Sequence, residues 1–442
     1  METSRRDFMK KSTLASLSLG VAATIPFVTH AENTAPADQI NVGIIGCNSM
    51  GFGILKHHLG FPDVRCVAMC DVDENILNQR AEEIRKTFKQ KPVLYRDFRK
   101  MLEQKDIDAV IIGTPDHWHC LITVFALQAG KHVYVEKPMA NTIAECNIMV
   151  NAANYYKKVV QVGQQQRSGF IFQKSMDLIK TGKIGKLRKI NIWANFNYGA
   201  GPDILADEPV PEGVDYDMWL GPAPKRPFNK NRFHGWWRLS WDYGGGLMSD
   251  WGVHLLDMGL WARDLVKAPD KVLVYGTNNY HEKKARETFD SMTVSFPKDE
   301  YVINWDMTAG IQSGPYKMPY GIAFIGDDGT IVADRNKMNL FPEWDEEAKH
   351  SKTSEYQYLE GKESHKEHVR NFLDCIKSGQ KNACPPEIGR AAALHVHIAN
   401  IAARVGEPVL NWDDGKNLFT NNKAANELIT PTYRSPWTLP KF

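Results

Sequence analysis

The sequence predicts an α/β protein: an N-terminal doubly wound parallel sheet joined to a C-terminal α+β half with a large, mostly antiparallel open sheet. Three observations carry this. The apolar runs "QINVGIIG", "VRCVAMCD", "DAVIIGT", "HVYVEK" and "VVQVG" alternate with helical stretches over residues 40–163, the βαβ rhythm of a sheet buried on both faces. From Lys186 the strands alternate apolar and polar, as in "KLRKINIWANFNY", and short turns such as "GDDGT" join them, the pattern of an open antiparallel sheet. A chain of 442 residues exceeds what one core usually serves, so two domains are expected, over 40–163 and 164–442.

Ahead of the first strand, "SRRDFMKK" pairs Arg5 with Arg6 before an apolar run from Leu14 to Val28 that ends in small residues at Ala31. This is the pattern of a twin-arginine export signal over 1–31. It implies handover to the twin-arginine machinery as a folded protein and a periplasmic location. The run is short and rich in Ser and Ala for a membrane span, so no membrane is expected for the mature form. The 54 basic and 52 acidic residues leave a net charge of +2, which offers no electrostatic ground for nucleic acid. The cysteines at 47, 66, 70, 120, 146, 375 and 384 form no CxxC pair. They read as small buried apolar side chains, since a chain folded in a reducing cytoplasm needs no disulfide.

The first strand ends at Gly46, and "CNSMG" leads to Gly51 and a helix carrying Ile54, Leu55 and His58. The spacing is G-x-N-x-x-G, one residue from the dinucleotide fingerprint G-x-G-x-x-G. Asn48 is tolerable in the middle because Asn visits left-handed backbone readily. The second strand ends in Asp71, where a carboxylate can bond the adenosine ribose and repel a 2′-phosphate; no Arg follows, so NAD is preferred over NADP. A helix N-cap is the plainer role for Asp71, and the two are compatible. Helices are expected over 74–88, 117–129 and 142–157. In such a Rossmann-type sheet ligands sit beyond the carboxyl ends of the strands, and the loops there, "TPDHWH" (114–119), "EKP" (136–138) and "QQQR" (164–167), are polar or charged.

In the second half Ile190, Ile192, Ala194 and Phe196 face one way, and Asn191, Trp193, Asn195 and Asn197 the other. Further strands are expected near 271–276, 288–296, 301–309, 320–326 and 329–334, with helices over 364–378 and 387–405. His395 and His397 fall on different faces of the last helix, which packs back on other helices. The stretch 199–243 is long, Pro-rich and irregular, with Trp219, Trp236, Trp237 and Trp241. It reads either as a lid packed on core aromatics or as an aromatic platform for sugars.

"SWDYGGGLMSDWGVH" (240–254) raises its own question, because three glycines are wasteful unless something approaches bare backbone. A ligand approaching there is the expectation, with the following helix presenting Asp250 and His254, spaced i and i+4, on one face. A histidine near its ordinary pKa can move a hydroxyl proton. Asp250 can orient that imidazole or bind a neighbouring hydroxyl, and the Lys137 ammonium can stabilise an alkoxide. A metal held by Asp250, His254 and either His117 or His119 is the weaker alternative; hydride chemistry needs none.

Taken jointly and in this order, the glycine turn, "TPDHWH", "EKP", "QQQR", "GGGLMSDWGVH" and the helix "HVRNFLDCIKSG" resemble the Gfo/Idh/MocA oxidoreductases from residue 40 to the C-terminus. The exported branch resembles periplasmic glycoside oxidoreductases and NAD-dependent α-N-acetylgalactosaminidases. In the latter the EKP lysine is typically replaced, so Lys137 favours net oxidoreduction. The resemblance implies cofactor contacts from Gly46, Asn48, Ser49, Met50, Gly51, Asp71, Thr114, Pro115, Asp116, His117, Trp118, His119, Glu136, Lys137 and Gln166. It places Arg167, Trp236, Trp237, Arg238, Asp250 and His254 on the substrate side, with Lys137, Asp250 and His254 catalytic. The expected activity is NAD-dependent oxidation of a ring secondary hydroxyl, with C3 the candidate, of a sugar or glycoside. Redox-neutral glycoside hydrolysis through transient C3 oxidation is the second reading, and a non-catalytic sugar-binding protein the third. Tightly held NAD and a homo-oligomer complete the expectations.

Overall fold

A computed structural model describes residues 39–278, 283–358, 361 and 364–442. The export signal expected over 1–31 lies outside them. The nucleotide half runs β1 (Ile40–Ile45), α1 (Ser49–Leu59), β2 (Val64–Cys70), α2 (Glu74–Phe88), β3 (Val93–Tyr95), α3 (Phe98–Leu102), β4 (Ala109–Ile112), α4 (Asp116–Gln128), β5 (His132–Val135), α5 (Ile143–Tyr156) and β6 (Val160–Val162). Its strands pair in parallel in the order β3-β2-β1-β4-β5-β6. That order reverses at β1, the crevice where such sheets bind ligands. The α2 N-cap is Asp73, whose carboxylate accepts from Asn75 and Ile76 N–H. Asp71 is therefore not the cap.

The chain then forms α6 (Phe170–Lys180), β7 (Leu187–Ala194), α7 (Tyr216–Leu220), α8 (Val253–Trp261), β8 (Lys271–Thr277), β9 (Ser291–Pro297), β10 (Val302–Thr308), β11 (Tyr320–Gly326), β12 (Gly329–Ala333) and β13 (Met338–Pro342). After the short hairpin β14 (Trp344–Asp345) and β15 (His350–Ser351) come β16 (Tyr356–Tyr358), α9 (His365–Ser378), α10 (Pro386–Arg404), β17 (Val409–Asp413), β18 (Leu418–Phe419) and α11 (Lys423–Glu427). Ten strands make one sheet, ordered β16-β13-β12-β11-β7-β10-β9-β8-β17-β18. Its pairings are antiparallel except β7 with β10.

Two cores result. The larger joins α4, α5, α8 and α10 to the inner face of the ten-stranded sheet. The other lies on the opposite face of the nucleotide sheet, and α9 belongs to it: Val369, Phe372 and Leu373 pack with Val42, Ile44 and Tyr134. All seven cysteines are free and buried. Among the described residues no helix is long and apolar enough to cross a membrane.

Candidate active site

Gly46, Asp71, Thr114 and Glu136 follow the ends of β1, β2, β4 and β5, and all four line one cavity of about 690 Å³. Gly46 has φ +88°, and a Cβ there would lie 2.7 Å from the Gly113 backbone. Only glycine lets the turn press so closely on the next strand end. The N-terminus of α1 then opens on the cavity with Asn48, Ser49 and Met50. Asn48 itself is extended, at φ −99°, and caps α1 by accepting from Ser49 N–H. It is thus a cap, and the positive φ expected of it falls on Gly46 and Ser49 instead.

Asp71 accepts from Cys47 N–H at 2.6 Å and Asp73 N–H at 2.9 Å. Burial raises its pKa against the pull of those two bonds. The carboxylate lines the cavity, and each oxygen keeps acceptor capacity for a ribose hydroxyl. Thr114 Oγ1 is buried without a partner in the same wall. A helix N-terminus for a pyrophosphate, an acid at the end of β2 and an unmet hydroxyl together fit a dinucleotide. The 199–243 segment crosses this end. Glu74 N–H donates to Gly213 O, and Asp215 N–H donates to Val72 O. His234 lies 2.7 Å from Asp73 Oδ2 and 3.3 Å from Asn48 Nδ2.

At the other end, Lys137 Nζ bonds Asp250 Oδ1 at 2.6 Å and the Asp250 carbonyl at 2.8 Å. Arg238 Nε reaches Oδ1 at 3.2 Å, and Tyr198 O–H donates to Oδ2 at 3.0 Å. Burial opposes ionisation of Asp250, but Lys137 and Arg238 outweigh it and hold the pKa well below the carboxylate range. Asp116 and Glu136 behave oppositely: burial raises the first well above its usual value and pushes the second up to about 7, despite nearby cations. His254 is buried, Nδ1 has no partner, and no described residue hydrogen-bonds its ring. Burial, then Lys137 and Arg335, drive its pKa well below the ordinary value. The imidazole is therefore neutral at pH 7, rather than poised near its own pKa. Asp250 does not orient it, being occupied by Lys137, Arg238 and Tyr198.

Met248–Gly252 form a π-helical turn that runs into α8. The wider turn still leaves Asp250 and His254 on the cavity wall. The protein's own packing already demands two of the glycines before it, and Gly246 also lines the cavity. A Cβ on Gly245 would lie 2.7 Å from Ser249 Cβ, and one on Gly246, at φ +68°, 2.6 Å from Thr288 Cβ.

The cavity also takes in Gly46, Pro115, Asp116, Trp118, Trp236, Trp237 and Arg238. Gly51, His117, His119, Gln166 and Arg167 do not line it. Gly51 packs against the Gly46 and Gly113 backbone. His117 Nε2 meets Trp219 O at 3.0 Å, and the two ring nitrogens of His119 meet Pro138 O and Thr114 O. Arg167 forms a buried fork with Asp257, bonding Oδ1 at 2.6 Å and Oδ2 at 2.8 Å. Gln166 lies behind the wall: in the amide orientation assigned from its neighbours, its nitrogen donates to the His254 carbonyl and its oxygen accepts from Arg335 Nε at 2.7 Å. These are braces where ligand contacts were expected. Trp219 and Trp237 join Tyr216, Phe228 and Tyr243 in a small aromatic core of the 199–243 segment, so that segment is a packed lid with some aromatic faces on the cavity. Among the described residues no group of three His, Cys, Asp or Glu could hold a metal ion.

Tyr198, His234, Trp251 and Arg335 line the cavity and are absent from the sequence-derived set. Tyr198 and Trp251 had a visible signal, since one ends the alternating strand and the other lies inside the glycine motif. Arg335 comes from a turn between β12 and β13 whose side of the sheet the sequence does not specify.

A family model described as "Oxidoreductase family, NAD-binding Rossmann fold" matches residues 40–164, and one described as "Oxidoreductase family, C-terminal alpha/beta domain" matches 176–439. A glycosyl hydrolase family 109 protein of Shewanella baltica is 29% identical over 202 residues, 41% of this chain and 44% of that protein. The chain thus matches less than half the length of such curated relatives. The WlbA dehydrogenase of Bordetella pertussis, solved with NADH and UDP-GlcNAcA, superposes with a TM-score of 0.61 at 16% identity, covering 85% of this chain and 99% of that one. An aldose-aldose oxidoreductase of Caulobacter crescentus complexed with glycerol gives 0.62 at 18% identity, covering 84% and 99%. At those identities the likeness is one of fold. With both domain models matched in order around one cavity, the chain belongs to the Gfo/Idh/MocA oxidoreductase family and carries its NAD-binding Rossmann domain.

Proposed function

We propose that this protein is an NAD-dependent oxidoreductase acting on a ring secondary hydroxyl, C3 the candidate, of a sugar or glycoside. One observation carries the reading: Lys137, Asp250 and the unengaged His254 ring share a wall with the strand ends that would hold the dinucleotide. Bound NAD⁺ would accept the hydride that leaves the carbinol carbon as C–O becomes C=O. The chain's own task is the hydroxyl proton. Neutral His254 offers a free ring nitrogen to take it, and the Lys137 ammonium, held by Asp250, stabilises the oxygen as negative charge grows. Tyr198 and Arg238 fix Asp250 and so fix Lys137. Trp236 offers an aromatic face to a sugar ring.

Asp71 with no neighbouring unpaired cation favours NAD over NADP: Arg96, at the same end, donates to Gly213 O and pairs with Glu74. Asp71→Ala should narrow that preference in calorimetry, and wild-type protein that binds NADP as well as NAD would refute the assignment. The paired arginines at 5 and 6 further support export of the folded, NAD-loaded protein to the periplasm. The broad, open ten-stranded sheet suits pairing of two copies.

The names of the curated relatives favour a second reading, redox-neutral glycoside hydrolysis. The purified protein should be incubated with aryl glycosides while absorbance and products are followed together. A keto-glycoside establishes oxidoreduction, free aglycone without net NADH establishes hydrolysis, and neither product from any glycoside defeats both.

A further inference from the structure

Three cations face the chemical end of the cavity, and two of them are answered. Lys137 and Arg238 share Asp250. Arg335 has no ion pair among the described residues. Its guanidinium lies 4.7 Å from the centre of the Trp251 ring, and with the Gln166 amide assigned so that its nitrogen donates to the His254 carbonyl, the Gln166 oxygen takes Nε at 2.7 Å and Nη2 at 3.2 Å. Gln166 is itself almost wholly buried, at 1% exposure. The turn that carries Arg335 is fixed by Asp334, whose Oδ1 accepts from Asn336 N–H at 2.7 Å and Lys337 N–H at 2.8 Å. A guanidinium lying over an indole and held along one edge is not a loose surface charge. It is a planar fork held in place, with no bond to Nη1 among the described residues.

Resting on the reading of this cavity as a sugar site, we propose that Arg335 receives a carboxylate of the substrate, so that the preferred sugars are acidic ones, a hexuronic acid or its glycoside. A planar fork matches a carboxylate in two parallel bonds. A neutral hydroxyl would leave a half-buried cation uncompensated, which is costly away from water. Among the described residues no acid hydrogen-bonds or ion-pairs with it: Asp250 and Glu136 act on it only from a distance, and Asp250 is bonded to Lys137 and Arg238 instead. A sugar phosphate shares the charge but asks for more donors than one open edge.

The test uses the full-length, NAD-loaded protein and matched pairs: methyl glucuronide against methyl glucoside, methyl galacturonide against methyl galactoside, with glucose 6-phosphate as a further arm. Binding is read by calorimetry and turnover by keto product. The uronide of at least one pair should exceed its neutral partner by roughly 10²-fold in affinity or kcat/KM, the scale of a lost charged hydrogen bond. In Arg335→Gln that ratio should fall to within a few-fold of one, and Arg335→Lys should recover part of it, with thermal unfolding confirming that both variants fold. A neutral partner or the phosphate that equals or beats the uronide overturns the proposal. A ratio unchanged in Arg335→Gln overturns it too. Uronide binding without any turnover sustains the anion site while defeating the oxidoreductase reading; oxidation of neutral sugars with no uronide preference does the reverse.

Discussion

Lys137 and Asp250 lie 113 positions apart in the chain and 2.6 Å apart in the cavity. One follows a strand of the nucleotide sheet, and the other precedes a helix that packs under the second sheet. Their pairing is what makes two half-sites into one. Lys137→Ala and His254→Ala should each lower turnover by roughly 10²–10⁴-fold, the scale of general acid–base groups, while NAD stays bound in fluorescence titration. Near-normal turnover in His254→Ala would remove that residue from the proton transfer. The pH profile separates the groups further. Because the His254 pKa is depressed, its ring stays neutral as pH falls through 6.5, and no loss of kcat/KM at 6.5 should trace to it. Glu136, pushed up to about 7, gains its charge as pH rises through that value. An inflection of kcat/KM near 7 is expected in the wild type and should vanish in Glu136→Gln. That Lys137, Asp250 and His254 share one cavity wall was readable from the motifs. Their partners were not, because Arg167 to Asp257, or Lys137 to Asp250, is a long-range pairing to which local spacing is blind.

At the scale of elements, the helix at 74–88 and the alternating strand from 187 were legible from local chemistry. The former was placed correctly although its cap is Asp73 and not the Asp71 the sequence suggested, and the latter alternates up to Ile192, after which Trp193 on the other face is buried too. The helix Phe170–Lys180 was not anticipated: it begins at Gly169 with no side-chain cap to announce it. The triple glycine was legible as a site of close approach, but not as to what approaches. Gly246→Ala should test the packing account. It would strain a left-handed residue and drive a methyl into Thr288, so a loss of about 1–3 kcal/mol is expected in denaturant unfolding. Stability unchanged, with sugar binding impaired, would return the glycines to the ligand.

Over the whole molecule, the parallel sheet, the open sheet and their order along the chain were legible because each has its own periodicity. The docking of one half on the other was not. The 199–243 segment is bonded to the strand ends of the nucleotide sheet at Val72, Glu74 and Asp73, and the proposed retention of NAD rests on this segment covering it. With the proposed export, this predicts near-stoichiometric NAD in protein taken from the periplasm, dialysed extensively and denatured. An empty protein that works only with millimolar added NAD would contradict both retention and the export of a loaded enzyme.

Helix α9 carries a last consequence, for the making of the protein. Its Phe372 ring packs edge-on against Tyr134 at 5.7 Å, and its His368 carbonyl accepts from Gln161, 207 positions earlier. On the ribosome the first sheet therefore waits, with part of one face bare, until most of the second half has been translated. A gene cut after β6 would encode that bare face permanently. Anyone borrowing the nucleotide domain as a module must graft α9 along with it, or expect a product that clumps.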